Sequence, residues 1–187
     1  MNVIEAIQAR RATRSYQARV VEDDKIRALL RAAVQAPSAV NAQAWVFAVV
    51  QSASTLKRWS DRAKAMLLNT VPRDPKVARH LDHLGDPNFN IFYDASTLIV
   101  IGVNERGTYT DADCWLAAEN LMLAAVEVGL ATCPIGFALP VLNTPEVKGE
   151  IRVGSAGAAV APILLGYAAN VPTSVARSEP HVTAWIR

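Results

Sequence analysis

This chain has too few cysteines to build a disulfide framework. Cys114 and Cys133 are the 2 cysteines among 187 residues, so both read as small core residues of a protein kept in a reducing compartment. Strong charge of one sign is missing too. Nineteen Lys and Arg against 17 Asp and Glu leave a net charge of +2, and no basic run extends beyond a few residues. That balance speaks against a nucleic-acid binder or an anionic-membrane partner. The opening MNVIEAIQARR has no apolar core of signal-peptide length and carries Glu5 early, so a cytoplasmic location is expected. Repeats and low-complexity tracts are absent. What remains is 51% hydrophobic and 19% charged, the composition of one globular domain spanning 1–187.

The most informative stretch is Thr110 to Ala131, TDADCWLAAENLMLAAVEVGLA. Thr110 is an expected N-cap, with Asp113 three residues on as in a capping box. From Trp115 to Ala131 the polar side chains are Glu119, Asn120 and Glu127. Two glutamates and an asparagine argue against a membrane span. A helix apolar nearly all round must be buried nearly all round, and a chain of this length has little mass to surround it. A homodimer with this helix at its centre is expected.

Around it the elements follow from periodicity. Residues 2–11 read as a short amphipathic helix with Val3, Ile4 and Ile7 on one face, leading into Arg10, Arg11 and Arg14. That cluster reads either as a solvated basic helix end or as an anion site of guanidinium forks. Glu22–Asp24 open a helix that ends at Ala36–Pro37. The loop 37–44 carries Ser38, Asn41 and Gln43, residues that suit a turn or a ligand edge equally. Trp45–Val50 reads as a strand apolar on both faces, hence central. A helix runs from Ser54 to Asn69. The irregular segment 70–90 is expected to be a flap over a site, with a short helix from Val77 to Leu84. His80 and His83 lie one turn apart without a third ligand, so no metal is expected. A second buried strand spans Thr97–Val103, and a short one spans Ala131–Phe137 and breaks at Gly136. Thr144–Pro145 starts a helix ending near Ile151. Val160–Tyr167 is a strand interrupted by Pro162. The end of the 170–187 tail, Val182–Ile186, is an added edge strand or a docking arm. Helices and strands interleave without direct hairpins, which predicts an α+β or α/β fold with helices covering a mixed sheet.

Five signals occur in one order: R-R-x-x-R from Arg10, P-S-x-x-N-x-Q-x-W-x-F from Pro37, Tyr93-Asp94-Ala95 before a strand, A-A-x-N-L-x-L-A-A in the long helix, and Pro134-Ile135-Gly136-Phe137. Together they resemble the nitroreductase family of flavin enzymes over about residues 2–180. The resemblance implies an α+β fold with a mostly antiparallel sheet and an intertwined homodimer, with FMN held at the interface. NADH or NADPH would deliver a hydride to flavin N5. Electrons would then pass by a ping-pong mechanism to nitroaromatics, quinones or similar flat acceptors. By motif position, Arg10 and Arg11 hold the phosphate, and Arg14 reaches the phosphate or the N1/C2 ring edge. Pro37, Ser38, Ala39 and Asn41 come from the other subunit toward the ring. Pro134, Ile135 and Gly136 form the turn whose amide faces N5, and Arg177 returns to the phosphate. No side-chain acid or base is required. Ala12 stands where the family often has serine, which removes one hydroxyl contact unless Thr13 or Ser15 replaces it. The alternatives are a different flavin reaction (dehydrogenation, dehalogenation, flavin destruction) or flavin binding without turnover.

Overall fold

The computed structural model describes residues 1–69, 83–170, 173 and 175–187. In chain order the elements are α1 (Val3–Ala9), α2 (Asp23–Ala33), β1 (Trp45–Val50), α3 (Ala53–Asn69), β2 (Thr97–Val103), α4 (Thr110–Glu127), β3 (Ala131–Pro134), α5 (Leu139–Leu142), α6 (Pro145–Glu150) and β4 (Ala158–Gly166). Short 3-10 turns cover Ala39–Asn41 and Gly136–Ala138. The four strands form one antiparallel sheet in the order β1-β2-β4-β3. A parallel bridge joins Ala12 to Thr132 on the outer side of β3. This is the α+β architecture the sequence predicts. The expected helix from Val77 to Leu84, with His80, falls mostly outside the described residues, as does most of the expected flap.

The sheet has two apolar faces, which is why β2 and β4 read as continuous apolar runs. Ile99, Ile101, Val103, Ile163 and Leu165 point to the α2 and α4 side. Leu98, Val100 and Leu164 point to the side of α3, α5 and α6. The period-two alternation is intact; both phases are simply buried. Complete burial of a Leu or Ile contributes about 1.5–3 kcal/mol, so these central strands carry much of the fold. Gly102 sits at the register shift between β2 and β4, and a Cβ there would lie 2.4 Å from the Ala158 carbonyl oxygen. Pro162 is tolerated inside β4 because its carbonyl accepts from Ile135 N, just past the end of β3. The N and O of one strand residue face the same neighbour, so its missing donor falls where β3 has ended and costs little.

Several boundaries differ from expectation. β1 is an edge strand, not a central one, and Val49 is exposed. α1 has the capping box of Asn2 with Glu5, but Val3, Ile4 and Ile7 are exposed in the single chain. α2 ends at Ala33, with turns leading to Pro37. The long helix begins one residue early: Tyr109 is its N-cap, without a side-chain cap bond, and Thr110 instead bonds back to Gly107. Its C-terminus is a Schellman motif. Gly129 at φ 72 donates to the Val126 carbonyl, and Leu130 to that of Ala125. α4 buries Cys114, Ala117, Ala118, Leu121, Met122 and Ala125, whereas Trp115 and Leu116 stay 42% and 46% exposed. The single chain therefore covers one side of this helix, not all of it. The α6 start is as read, with Thr144 capping Val147 N and Pro145 following. Residues 175–187 form no strand within the chain, and Trp185 is 74% exposed.

Candidate functional site

Past α1 the chain leaves helical geometry at Arg10 and becomes extended. Thr13 N donates to the Thr132 carbonyl at 3.0 Å, Gln17 N to that of Tyr167 at 2.9 Å, and Ala169 N to that of Ser15 at 3.0 Å. Residues 12–17 are thereby stitched between β3 and the chain leaving β4. This brings Arg11, Arg14 and Arg177 around one cavity of about 490 Å³, with Ala12, Thr13 and Ser15 in its wall. Among the described residues no carboxylate lines it. Arg11 Nη1 donates to the carbonyls of Gln8 and Arg10 at 2.5 and 2.7 Å. Its Nε and the Thr13 hydroxyl are buried and have no hydrogen-bond partner among the described residues. Three guanidinium groups around one cavity, with an unspent buried donor on Arg11 and an unspent hydroxyl on Thr13, make a lining that suits an anion such as a phosphate. Thr13 and Ser15 both stand where a hydroxyl can replace the one Ala12 lacks. Arg10 lies apart from this cavity; its Nε is 3.4 Å from Glu119 on α4.

Arg14 also lines a second cavity of about 730 Å³, together with His83, Phe89, Tyr93 and the turn Pro134–Phe137. Ile135 N is spent on the Pro162 carbonyl, while Gly136 opens the 3-10 turn. The first amides of such a turn have no partner within it. A Cβ on Gly136 would meet nothing within 4 Å, so the backbone there faces open space. The opposite wall is aromatic. Phe89 and Tyr93 meet edge-to-face at 5.7 Å, and His83 lies 6.0 Å from Phe89. Tyr93 and Asp94 adopt left-handed φ of 51° and 55°, locked by Asn90, which bonds Asp94 Oδ1 and Phe92 N. Burial pushes the Tyr93 phenol up, with the Arg14 guanidinium opposing. Tyr16 and Cys133 beside it are raised by burial as well. Arg14 thus faces groups held neutral.

α3 fixes that aromatic wall. Ser60 Oγ accepts from Ile91 N. Lys64, 6% exposed, donates to the carbonyls of Asp86, Pro87 and Phe89 at 3.2, 3.4 and 2.7 Å. Nothing in the sequence marks Lys64 as a support, and His83 is read there only as one of a histidine pair without a third ligand. The Tyr93-Asp94-Ala95 entry was the available hint of the wall.

Pro37, Ser38, Ala39 and Asn41 line neither cavity in the single chain. Their loop is nonetheless built. Ser38 Oγ accepts from Gln43 N, and Gln43 Nε2 donates to Asn41 Oδ1, each at 3.0 Å. Asp113 Oδ1 on α4 accepts from Ala39 N at 3.1 Å. Asp113 is therefore a loop anchor, where the sequence implied half of a capping box. Among the described residues no group of three or more metal-ligating side chains converges, and no helix is long and apolar enough to cross a membrane.

Comparison with known proteins bears on the family and the fold. The profile of the nitroreductase family matches residues 7–167. A curated relative from Methanothermobacter thermautotrophicus, named "Putative NADH dehydrogenase/NAD(P)H nitroreductase", is 30% identical over 99% of this chain and 88% of its own. A nitroreductase with bound FMN from Bacteroides fragilis superposes with a TM-score of 0.83 at 25% identity, covering 100% of this chain and 98% of that one. Another with bound FMN, from Desulfitobacterium hafniense, gives 0.85 at 22% identity and covers 99% of each. The chain belongs to the nitroreductase family.

Proposed function

We propose that this member of the nitroreductase family is an FMN-dependent oxidoreductase. It takes a hydride from NADH or NADPH and passes electrons, by a ping-pong mechanism, to flat electron-poor acceptors such as nitroaromatics and quinones. One observation carries the reading: Arg14 joins an arginine cavity, free of acids among the described residues, to a larger cavity between an open glycine turn and an aromatic wall. That is the layout a phosphate and a planar ring need from one ligand. When bound, FMN supplies the hydride-accepting and electron-donating chemistry. The chain's own residues bind and orient. Arg11, Arg14 and Arg177 hold the phosphate, with Thr13 and Ser15 in place of the hydroxyl missing at Ala12. The Gly136 turn presents a backbone amide to the ring. Arg14 sets positive charge at the ring edge where negative charge develops. Phe89 and Tyr93 give acceptors a flat apolar face.

The same reading includes a homodimer. Trp115 and Leu116 on α4 and Ile4 and Ile7 on α1 are exposed apolar side chains. The tail carries Val182, Trp185 and Ile186 exposed as well. A second copy buries them, its arm lies along the free edge of β1, and its 37–43 loop reaches the ring cavity of this chain. The test is the visible spectrum of the purified protein before and after anaerobic NADH or NADPH, with light scattering on the same sample. A yellow dimer that bleaches and is reoxidised by a quinone is expected. A yellow protein that stays yellow ends the reductase reading. A colourless protein that takes up no FMN ends the cofactor assignment.

A further inference from the structure

Asp113 is a carboxylate only 5% exposed, in the first turn of α4. The N-terminal turn of a helix favours negative charge there, which explains why an acid is tolerated but not why it is buried. Among the described residues it has no ion-pair partner. Its hydrogen bond runs out of the helix, from Ala39 N to Asp113 Oδ1 at 3.1 Å. The loop it reaches is under backbone strain. Val40, Asn41 and Gln43 have φ of 48°, 55° and 48°, and a β-branched residue in that region is a genuine outlier. Val40 is also 99% exposed. A strained, exposed loop persists only when its surroundings hold it, and such strain gathers at ligand clamps. The remaining restraints, Ser38 to Gln43 and Gln43 to Asn41, lie within the loop itself. Among the described residues, the Asp113 bond is the side-chain hydrogen bond that ties it to the body of the protein.

We propose that Asp113 is a positioning residue that sets the 37–43 loop for the flavin ring of the partner subunit. The inference rests on the flavin-dimer reading above and adds a residue of the central helix to it. The bond costs no chemistry and moves no proton; it selects one loop geometry out of those the strained backbone would otherwise relax into. Because α4 also carries the exposed Trp115 and Leu116, the helix that packs the dimer is the helix that aims the loop.

The experiment uses the full chain with and without FMN. Variants are Asp113→Ala, which removes the acceptor, Asp113→Asn, which keeps an oxygen there, and Ala39→Pro, which removes the donor. Ser38 is extended at ψ 151, so it tolerates a following proline, and Ala39→Pro serves if Asp113→Ala fails to fold. Amide exchange of Ala39 in the cofactor-free protein reads the bond directly. Asp113→Ala is expected to speed that exchange by about tenfold or more, the size of one lost hydrogen bond to a carboxylate. FMN affinity falls by a similar factor, the visible bands of the bound flavin shift, and Asp113→Asn restores all three. Ala39→Pro reproduces the weakened affinity and shifted bands. A purely structural role lowers the melting temperature and leaves the bands in place. Unchanged Ala39 exchange in Asp113→Ala overturns the proposal, and so does freed exchange with unchanged affinity and spectrum. A wild-type protein that takes up no FMN overturns the functional reading, and the loop's role with it.

Discussion

Replacing Lys64 by methionine tests whether α3 holds the aromatic wall. Methionine keeps the apolar stem and removes the donors. Two of the three bonds from Nζ, at 2.7 and 3.2 Å, are within good range, while the one to Pro87 at 3.4 Å is weak. Asp61 Oδ1 at 3.5 Å is mostly solvent-screened. Bonds from a charged donor contribute about 1.5–3 kcal/mol each, so the gross loss is about 3–6 kcal/mol. Against this, a buried ammonium carries a desolvation penalty of several kcal/mol that methionine avoids. The carbonyls of Asp86 and Pro87 belong to exposed residues and regain water. The net expectation is a loss of about 1–3 kcal/mol. At 2–4 °C per kcal/mol for a chain of this size, that is a melting temperature lower by about 5 °C. Thermal unfolding by circular dichroism measures it. Because His83, Phe89 and Tyr93 line the larger cavity, which the proposed function gives to the acceptor, the KM for a quinone is expected to rise more than kcat falls. A variant melting at or above the wild-type temperature means desolvation outweighs the clamp and the reasoning is wrong. A lower melting temperature with unchanged KM separates the clamp from the site.

Glu22 accepts from Tyr167 Oη and Arg19 Nη2, each at 2.6 Å. The Tyr167 hydroxyl foremost, then local backbone and Arg19, depress its carboxyl from 4.5 to about 2. A depressed acid stabilises the fold above its unfolded value. That contribution is lost as pH falls from about 4.5 to about 2, and Glu22→Gln flattens the acid limb of a stability-versus-pH curve in that window; an unaltered limb refutes the linkage. Burial, then Asp111 and Asp113, push the Cys114 thiol up to about 12, and burial raises Cys133. Both thiols stay unreactive toward an aromatic disulfide reagent at pH 8 until denaturant is added; fast labelling of the native protein contradicts this. Arg177→Ala weakens FMN binding by roughly tenfold or more, the value of one charged hydrogen bond, read by fluorescence titration. An unchanged Kd removes the tail from the phosphate site.

The order of elements was legible because hydrophobic period and cap chemistry are local. Thr144–Pro145, the apolar run of β2 and Gly129 each specify their conformation within a few residues. β1 was misplaced because an apolar run reports burial on both faces, not the number of strand neighbours. WVFAVV looks as central as TLIVIGV, yet β2 lies between two strands of the sheet and β1 lies at its edge. Pro162 misled in the opposite direction. Its effect depends on which neighbour its nitrogen faces, and that is decided by where β3 stops. The capping-box reading of Thr110 and Asp113 failed because a three-residue spacing is shared by a helix cap and by an acid reaching out to another loop.

For the candidate site, motif order pointed to Arg11, Arg14, Arg177 and the glycine turn, which the structure places around two adjoining cavities, and to Arg10, which it places apart. Lys64 and the aromatic wall escaped because their role comes from backbone carbonyls more than twenty residues away. The most useful disagreement concerns α4. Its composition requires cover on nearly all sides, and the single chain covers one. The exposed Trp115 and Leu116, the strained 37–43 loop and the exposed 182–186 tail belong to three separate stretches of the chain. On the dimer proposed above, an isologous contact buries the same surface on both subunits, so one interface that includes these three stretches would account for all of them together. Without it they would need separate partners. That economy is the physical reason to expect the dimer, independent of any kinship.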